Sequence, residues 1–154
     1  MEENTAAEKP LSLVVAIRNR SICVGLFSED RLLRQLGLNV KSDWKEQLER
    51  FLRDIEGEVV ALVGSVNHRF DRPVMELFHR FEVPFSFVGE ADCRWDLRLA
   101  TDQQEAVGAD RLADAYGAWK LNFGDSIVID IGSAVSFDVV TAEPAFVGGV
   151  ILRG

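Results

Sequence analysis

Cysteine and histidine are scarce in this 154-residue chain, two of each, and that scarcity excludes several chemistries before any motif is read. Cys23 and Cys93 lie far apart, without ligand-like spacing to each other or to His68 and His79, so no nitrogen–sulfur metal centre is expected. Two such thiols read as reduced, buried side chains of a cytoplasmic protein. No apolar run approaches the roughly 18 residues of a membrane span. Met1 to Lys9 is acidic and polar, lacking the basic head and apolar middle of a signal peptide. Basic residues are the minority, 17 Lys and Arg against 25 Asp and Glu. The formal net charge of −8 argues against a nonspecific nucleic-acid or acidic-membrane surface. What is present is 47% apolar and 27% charged, the balance of an ordinary globular domain long enough to bury a core.

Residues 1–10 read as a disordered leader. Leu11–Ile17 and Ser21–Phe27 are β-rich runs joined by the polar turn Arg18-Asn19-Arg20, and Arg31–Leu38 reads as a third antiparallel strand. Ser42 is placed to cap a helix carrying Trp44, Leu48, Phe51, Leu52 and Ile55, with Gly57 just past its end. Glu58–Val66 has the length and apolarity of a central strand. Asp71 is expected to cap a helix over Pro73–Phe81, followed by a short strand at Val83–Val88 and a long helix over Val107–Phe123. Ser126–Asp130, Val135–Thr141 and Ala145–Ile151 then restart a meander.

The pattern is α/β: a ribonuclease-H-like domain over residues 11–123, and the first three-strand meander of a second, similar domain over 124–154. A three-stranded sheet left bare on one face is a poor stopping point. A truncated chain or a second copy covering the sheet is therefore expected. Val128, Val135, Phe137, Val139, Phe146 and Val150 supply more apolar area than one face can hide. Trp44, Trp95, Trp119 and the ten phenylalanines are scattered at core-like positions and read as packing.

Three segments carry chemistry. Gly108-Ala109-Asp110-Arg111 opens the last helix. Its acid suits a helix N-terminus with Arg111 as a surface partner, yet a glycine followed by an acid and a guanidinium also suits a bound anion. Asp130 ends a strand, where it either caps a turn or faces a ligand at the carboxyl edge of the sheet. Gly148-Gly149 lies in the last strand, and His68-Arg69, beyond Val66, offers a weak phosphate contact.

In this order Gly108-Ala109-Asp110-Arg111, Asp130-Ile131-Gly132-Ser133-Ala134 and Gly148-Gly149 resemble the type III pantothenate kinases, members of the acetate and sugar kinase, heat-shock chaperone and actin superfamily. The resemblance implies an actin-like ATPase fold, ATP with Mg²⁺, a monovalent cation (K⁺ or NH₄⁺), pantothenate as substrate, and a homodimer sharing its pocket between subunits. It implies Asp110 as general base, Gly108 to Arg111 as the substrate-binding stretch, and Asp130 as the cation ligand. Ser133 replaces a threonine that contacts ATP, Ser136 replaces another threonine, and Asp138 is retained.

The departures are concentrated at the N-terminal loop. Where such kinases carry Asp-x-Gly-Asn-Thr, this chain reads Ala16-Ile17-Arg18-Asn19-Arg20, so only Asn19 is left of the nucleotide-binding set. Either Arg18 and Arg20 grip phosphate as guanidinium forks, or the Mg-ATP site is damaged because no carboxylate stands at Ala16. Thr101 and Gln104 replace a Tyr and a Pro, and Leu152-Arg153-Gly154 replaces x-Pro-Gly. The expected function is ATP-dependent phosphorylation of pantothenate on the way to coenzyme A, impaired in this chain. The alternatives are an inactive relative, a pseudokinase or regulatory accessory protein to transcription, and a kinase of another substrate in the same superfamily.

Overall fold

The computed structural model describes residues 9–89, 96–121 and 124–153. In the first sheet, β1 (Leu11–Ile17), β2 (Ser21–Ser28) and β3 (Arg31–Asn39) form an antiparallel meander. β4 (Val59–Ser65) and β5 (Phe85–Phe87) extend it in parallel on the other side, giving the order β3-β2-β1-β4-β5. The helices between these strands, α1 (Trp44–Arg53) and α2 (Asp71–Arg80), cover one face. Alternation explains that face: Leu13, Val15 and Ile17 meet Ile22, Val24, Leu26, Ala61 and Val63, all buried against Trp44, Leu48, Val74 and Phe78. The same alternation corrects the reading of Cys23, which points out of the opposite face and is exposed. Cys93 and Trp95 lie outside the described residues.

The helix boundaries differ from expectation for local reasons. Ser42 does not cap α1; its hydroxyl donates back to the Asn39 carbonyl at 2.8 Å, and Asp43 takes the N-cap position. Asp71 heads α2 from within rather than capping it, and its carboxylate is shared between Ser65 and His68. The last helix, α3 (Ala109–Lys120), begins later than Val107 because a 3-10 turn at Gln104–Ala106 precedes it and Val107 is extended.

The second sheet is built from β7 (Ser126–Ile131), β8 (Ala134–Thr141) and β9 (Ala145–Arg153), in antiparallel succession. A short strand that the sequence did not suggest, β6 (Arg98–Leu99), pairs in parallel with β9, giving the order β6-β9-β8-β7. α3 contacts β4 of the first sheet and β7 and β8 of the second, and so sits between the two sheets. Leu97, Ala115, Val140 and Phe146 form a small core there.

The other face of the second sheet is bare. Ile127, Ile129 and Ile131 align through the register with Val139, Val150 and Leu152, and all of them are exposed, Ile131 to 77%. Of the residues expected to overfill one face, Phe146 is buried and Val128 packs beside it against α3, while Val139 and Val150 face out. The isoleucines of β7 make up much of the open surface.

Candidate active site

β1 and β4 run parallel, and the site forms where both end. Past Ile17 the chain reverses at once, with the Arg18 amide donating to the Ser21 carbonyl at 2.8 Å. That turn sets Arg18, Asn19 and Arg20 at the carboxyl edge of the sheet. Past Ser65, the Val66 amide donates to the Ile17 carbonyl at 3.0 Å, tying the two strand ends together. Across from them β7 ends in a tight turn closed by the Gly132 amide on the Ala134 carbonyl at 2.9 Å, which presents Ser133. The N-terminus of α3 enters between these edges. The result is a cleft of about 520 Å³ lined by Arg18, Asn19, Arg20, Gly108, Asp110, Arg111, Asp130, Ser133 and Ser136.

The expected site residues therefore share one cleft, apart from Ala109. With Gly108, Ala109 borders a neighbouring cavity of about 920 Å³ that also takes in Ser65, His68, Asp71 and Gln104. His68 belongs to that second cavity, where its Nδ1 lies 2.8 Å from Asp71 Oδ2. Arg69 lines neither cavity.

At the mouth of α3 the backbone explains the glycine. Asp110 Oδ1 accepts from the Arg111 amide at 2.8 Å. That folds the carboxylate back over Gly108, where an added Cβ would stand 2.7 Å from Oδ1. Gly108 thus sets the direction of Asp110. Arg111 is not a surface partner of Asp110. Its guanidinium forks onto Asp138, with Nε 2.9 Å and 3.1 Å from the two carboxylate oxygens and Nη2 also donating to Oδ1. Asp138 is only 2% exposed, and the Arg111 Cζ lies 5.5 Å from the centre of the Phe146 ring. A fork of this kind uses one edge of the guanidinium, so the opposite edge remains for a ligand.

Asp130 meets Arg18. Nη2 of Arg18 donates to Oδ2 of Asp130 at 3.1 Å, closing a link across 112 residues and between the two sheets. No Asp or Glu stands at the end of β1, and no cluster of His, Cys, Asp and Glu among the described residues is arranged to hold a metal ion.

Asp114 was missed. It lies one turn beyond Asp110 on α3, half-buried, and burial pushes its carboxyl pKa up, with Asp130, Asp110 and Asp138 adding to the rise and Arg18 opposing it. The spacing of Asp110 and Asp114 was the available signal, since carboxylates at i and i+4 share a helix face. Gly148 and Gly149 have a structural role. Gly148 has φ +105, beside the irregularity in the β8–β9 register, and a Cβ on Gly149 would lie 1.9 Å from the Phe137 carbonyl oxygen.

This arrangement can be set beside known proteins. The family model for type III pantothenate kinase matches residues 12–154. The chain belongs to that family. A type III pantothenate kinase of Desulfotalea psychrophila is 52% identical over 58 residues, covering 38% of this chain and 22% of the relative. Another, from Agathobacter rectalis, is 26% identical over 155 residues, covering 92% of this chain and 58% of the relative. The chain thus spans well under two thirds of the length of these curated relatives. Among solved structures, the ethanolamine utilization protein EutJ of Carboxydothermus hydrogenoformans superposes with a TM-score of 0.52 at 15% identity, over 95% of this chain and 53% of that one. That likeness shows the fold alone, an actin-like α/β architecture. No helix among the described residues is long and apolar enough to cross a membrane.

Proposed function

We propose that this chain carries the acceptor and nucleotide cleft of an ATP-dependent pantothenate kinase, with phosphoryl transfer impaired by its altered nucleotide loop. The observation that supports the reading best is convergence. Asp110 and Arg111 of α3, Asn19 of the β1–β2 turn, Asp130 of β7 and Ser133 of the β7–β8 turn line one cleft at the strand ends. Pantothenate would lie along Gly108 to Arg111. The free edge of the Arg111 guanidinium would hold its polar groups, while Asp110 accepts the proton of its hydroxyl. That oxygen attacks the γ-phosphorus of ATP, the bond from this phosphorus to the bridging oxygen breaks, and ADP leaves with the electron pair. A carboxylate serves as base because the transition state is loose and positioning carries most of the catalysis. Asn19 and Ser133 would contact the nucleotide from the two sides of the cleft, with Mg²⁺ carried on its phosphates. The same reading takes the protein as a cytoplasmic homodimer whose chain passes from a first to a second domain at about residue 124.

Impairment follows from the β1–β2 turn. Ala16 supplies no carboxylate, and a long Arg18 stands where backbone amides would have to approach phosphate. Turnover should fall on the order of 10³-fold or more below an ordinary kinase, from loss of the groups that place metal and phosphate. A coupled assay with saturating ATP, Mg²⁺ and pantothenate tests this directly. Turnover of about 1 s⁻¹ or faster would refute impairment. Weak turnover abolished by Asp110→Asn would support the assigned base. The Arg18–Asp130 bridge also favours a second reading, an inactive relative acting by binding alone. Calorimetry finding that pantothenate binds while ATP does not would favour it.

A further inference from the structure

The monovalent cation implied at Asp130 does not fit the seat this chain builds. Asp130 Oδ2 already accepts a charge-assisted hydrogen bond from Arg18, and both side chains are about one-third exposed, so the contact faces the cleft. The guanidinium also overhangs the β7–β8 turn: an added Cβ on Gly132 would lie 4.0 Å from Arg18 Nη1. Its backbone is fixed by the bond from the Arg18 amide to Ser21, so the side chain reaches across the cleft from a rigid base. From α3, Asp114 lies within electrostatic reach of both groups. A positive group is thus held among carboxylates at the place where an exchangeable ion would have to sit. Arginine suits the task because its charge is permanent, its fork is planar and its hydration is weaker than that of an ammonium.

We propose that Arg18 is a tethered cation: its guanidinium takes the place of an exchangeable monovalent ion at Asp130 and fastens the end of β7 to the β1–β2 turn. The N–H groups not used on Asp130 then face a phosphate oxygen of the nucleotide, a consequence that rests on the nucleotide reading of the cleft. The ion substitution itself does not.

The test is the melting temperature of the chain and its variants in KCl, NH₄Cl and choline chloride at equal ionic strength, about 0.1 M, so that general screening is constant. The native chain should melt within about 1 °C in all three salts. Arg18→Met keeps the stem and removes the charge, so Asp130 should recruit an ion, and K⁺ or NH₄⁺ should raise its melting temperature over choline by about 3 °C or more. Adding Asp130→Asn should abolish that response. Specific stabilisation of the native chain by K⁺ overturns the proposal, as does an Arg18→Met variant that ignores the ion. Should Arg18→Met fail to fold, Arg18→Lys replaces it; that variant keeps the charge and must remain insensitive, and a K⁺ response in it is likewise fatal. Calorimetric titration with ATP in K⁺ and in choline separates the nucleotide reading. Equal affinity in the two salts supports the whole proposal. Absence of binding in both removes the phosphate contact and the nucleotide site, while the melting data decide the tethered cation independently.

Discussion

Replacing Arg111 by methionine should destabilise this protein before it reveals anything about substrate. The guanidinium is the partner of Asp138, whose side chain is 3% exposed, and Arg111 itself is 16% exposed. Breaking a buried ion pair by removing one member typically costs about 3–5 kcal/mol, because the remaining charge stays desolvated. The residual exposure of Arg111 puts the expected loss near the lower end, about 3 kcal/mol. For a chain of this size each kcal/mol moves the melting temperature by about 2–4 °C, so a drop on the order of 10 °C is expected. Urea and thermal unfolding followed by circular dichroism measure it. Asp138→Leu alone should also destabilise, whereas Arg111→Met with Asp138→Leu should recover most of the loss, because a packed apolar pair avoids the desolvation cost. The Arg18–Asp130 pair, about one-third exposed, is the internal comparison, at about 0–1 kcal/mol. A loss below about 1 kcal/mol for Arg111→Met, or a double variant no better than the single, would refute the buried-pair account.

Gly149→Ala should cost about 3 kcal/mol, since the new methyl meets the Phe137 carbonyl oxygen of the backbone at 1.9 Å, while Gly117→Ala in the open interior of α3 should stabilise by about 0.5–1 kcal/mol; chemical denaturation ranks the two. Asp114 has a raised pKa in the folded chain, so its contribution to stability is full below its ordinary value of 3.8 and is lost as pH rises through the folded value. Asp114→Asn should therefore be the more stable form at neutral pH, with the advantage vanishing in acid; a constant difference across the pH range would contradict the assignment. The bare face of Ile127, Ile129 and Ile131 should drive self-association at micromolar concentration, and Ile129→Lys should reduce it in sedimentation; a native chain that stays monomeric without the substitution would refute this.

The strands were legible because burial writes itself as alternation. Leu13, Val15 and Ile17 face inward while Ser12, Val14 and Ala16 point the other way, and in the second sheet the pairing of β7 with β8 places Asp130 next to the strand end. The Gly108-Ala109-Asp110-Arg111 segment stood out because helix starts and anion sites use the same residue types; in the structure Gly108, Asp110 and Arg111 line the cleft and Ala109 borders the neighbouring cavity. β6 was not legible: two residues, Arg98 and Leu99, owe their strand conformation to pairing with β9, which is distant in sequence and leaves no local period. The partners of the two arginines were hidden for the same reason. Arg111 passes over its neighbour Asp110 because that carboxylate is turned toward the Arg111 amide, while Asp138, buried by the β8 alternation, accepts the guanidinium. Arg18 reaches Asp130 because the chain returns to β1 with its second sheet, a long-range contact invisible to any window along the sequence. In this cleft the residue types were readable from the sequence, and their electrostatic pairing was set by the fold: one pair, Arg111–Asp138, locks α3 to β8, and the other, Arg18–Asp130, spans the cleft between the β1–β2 turn and the end of β7.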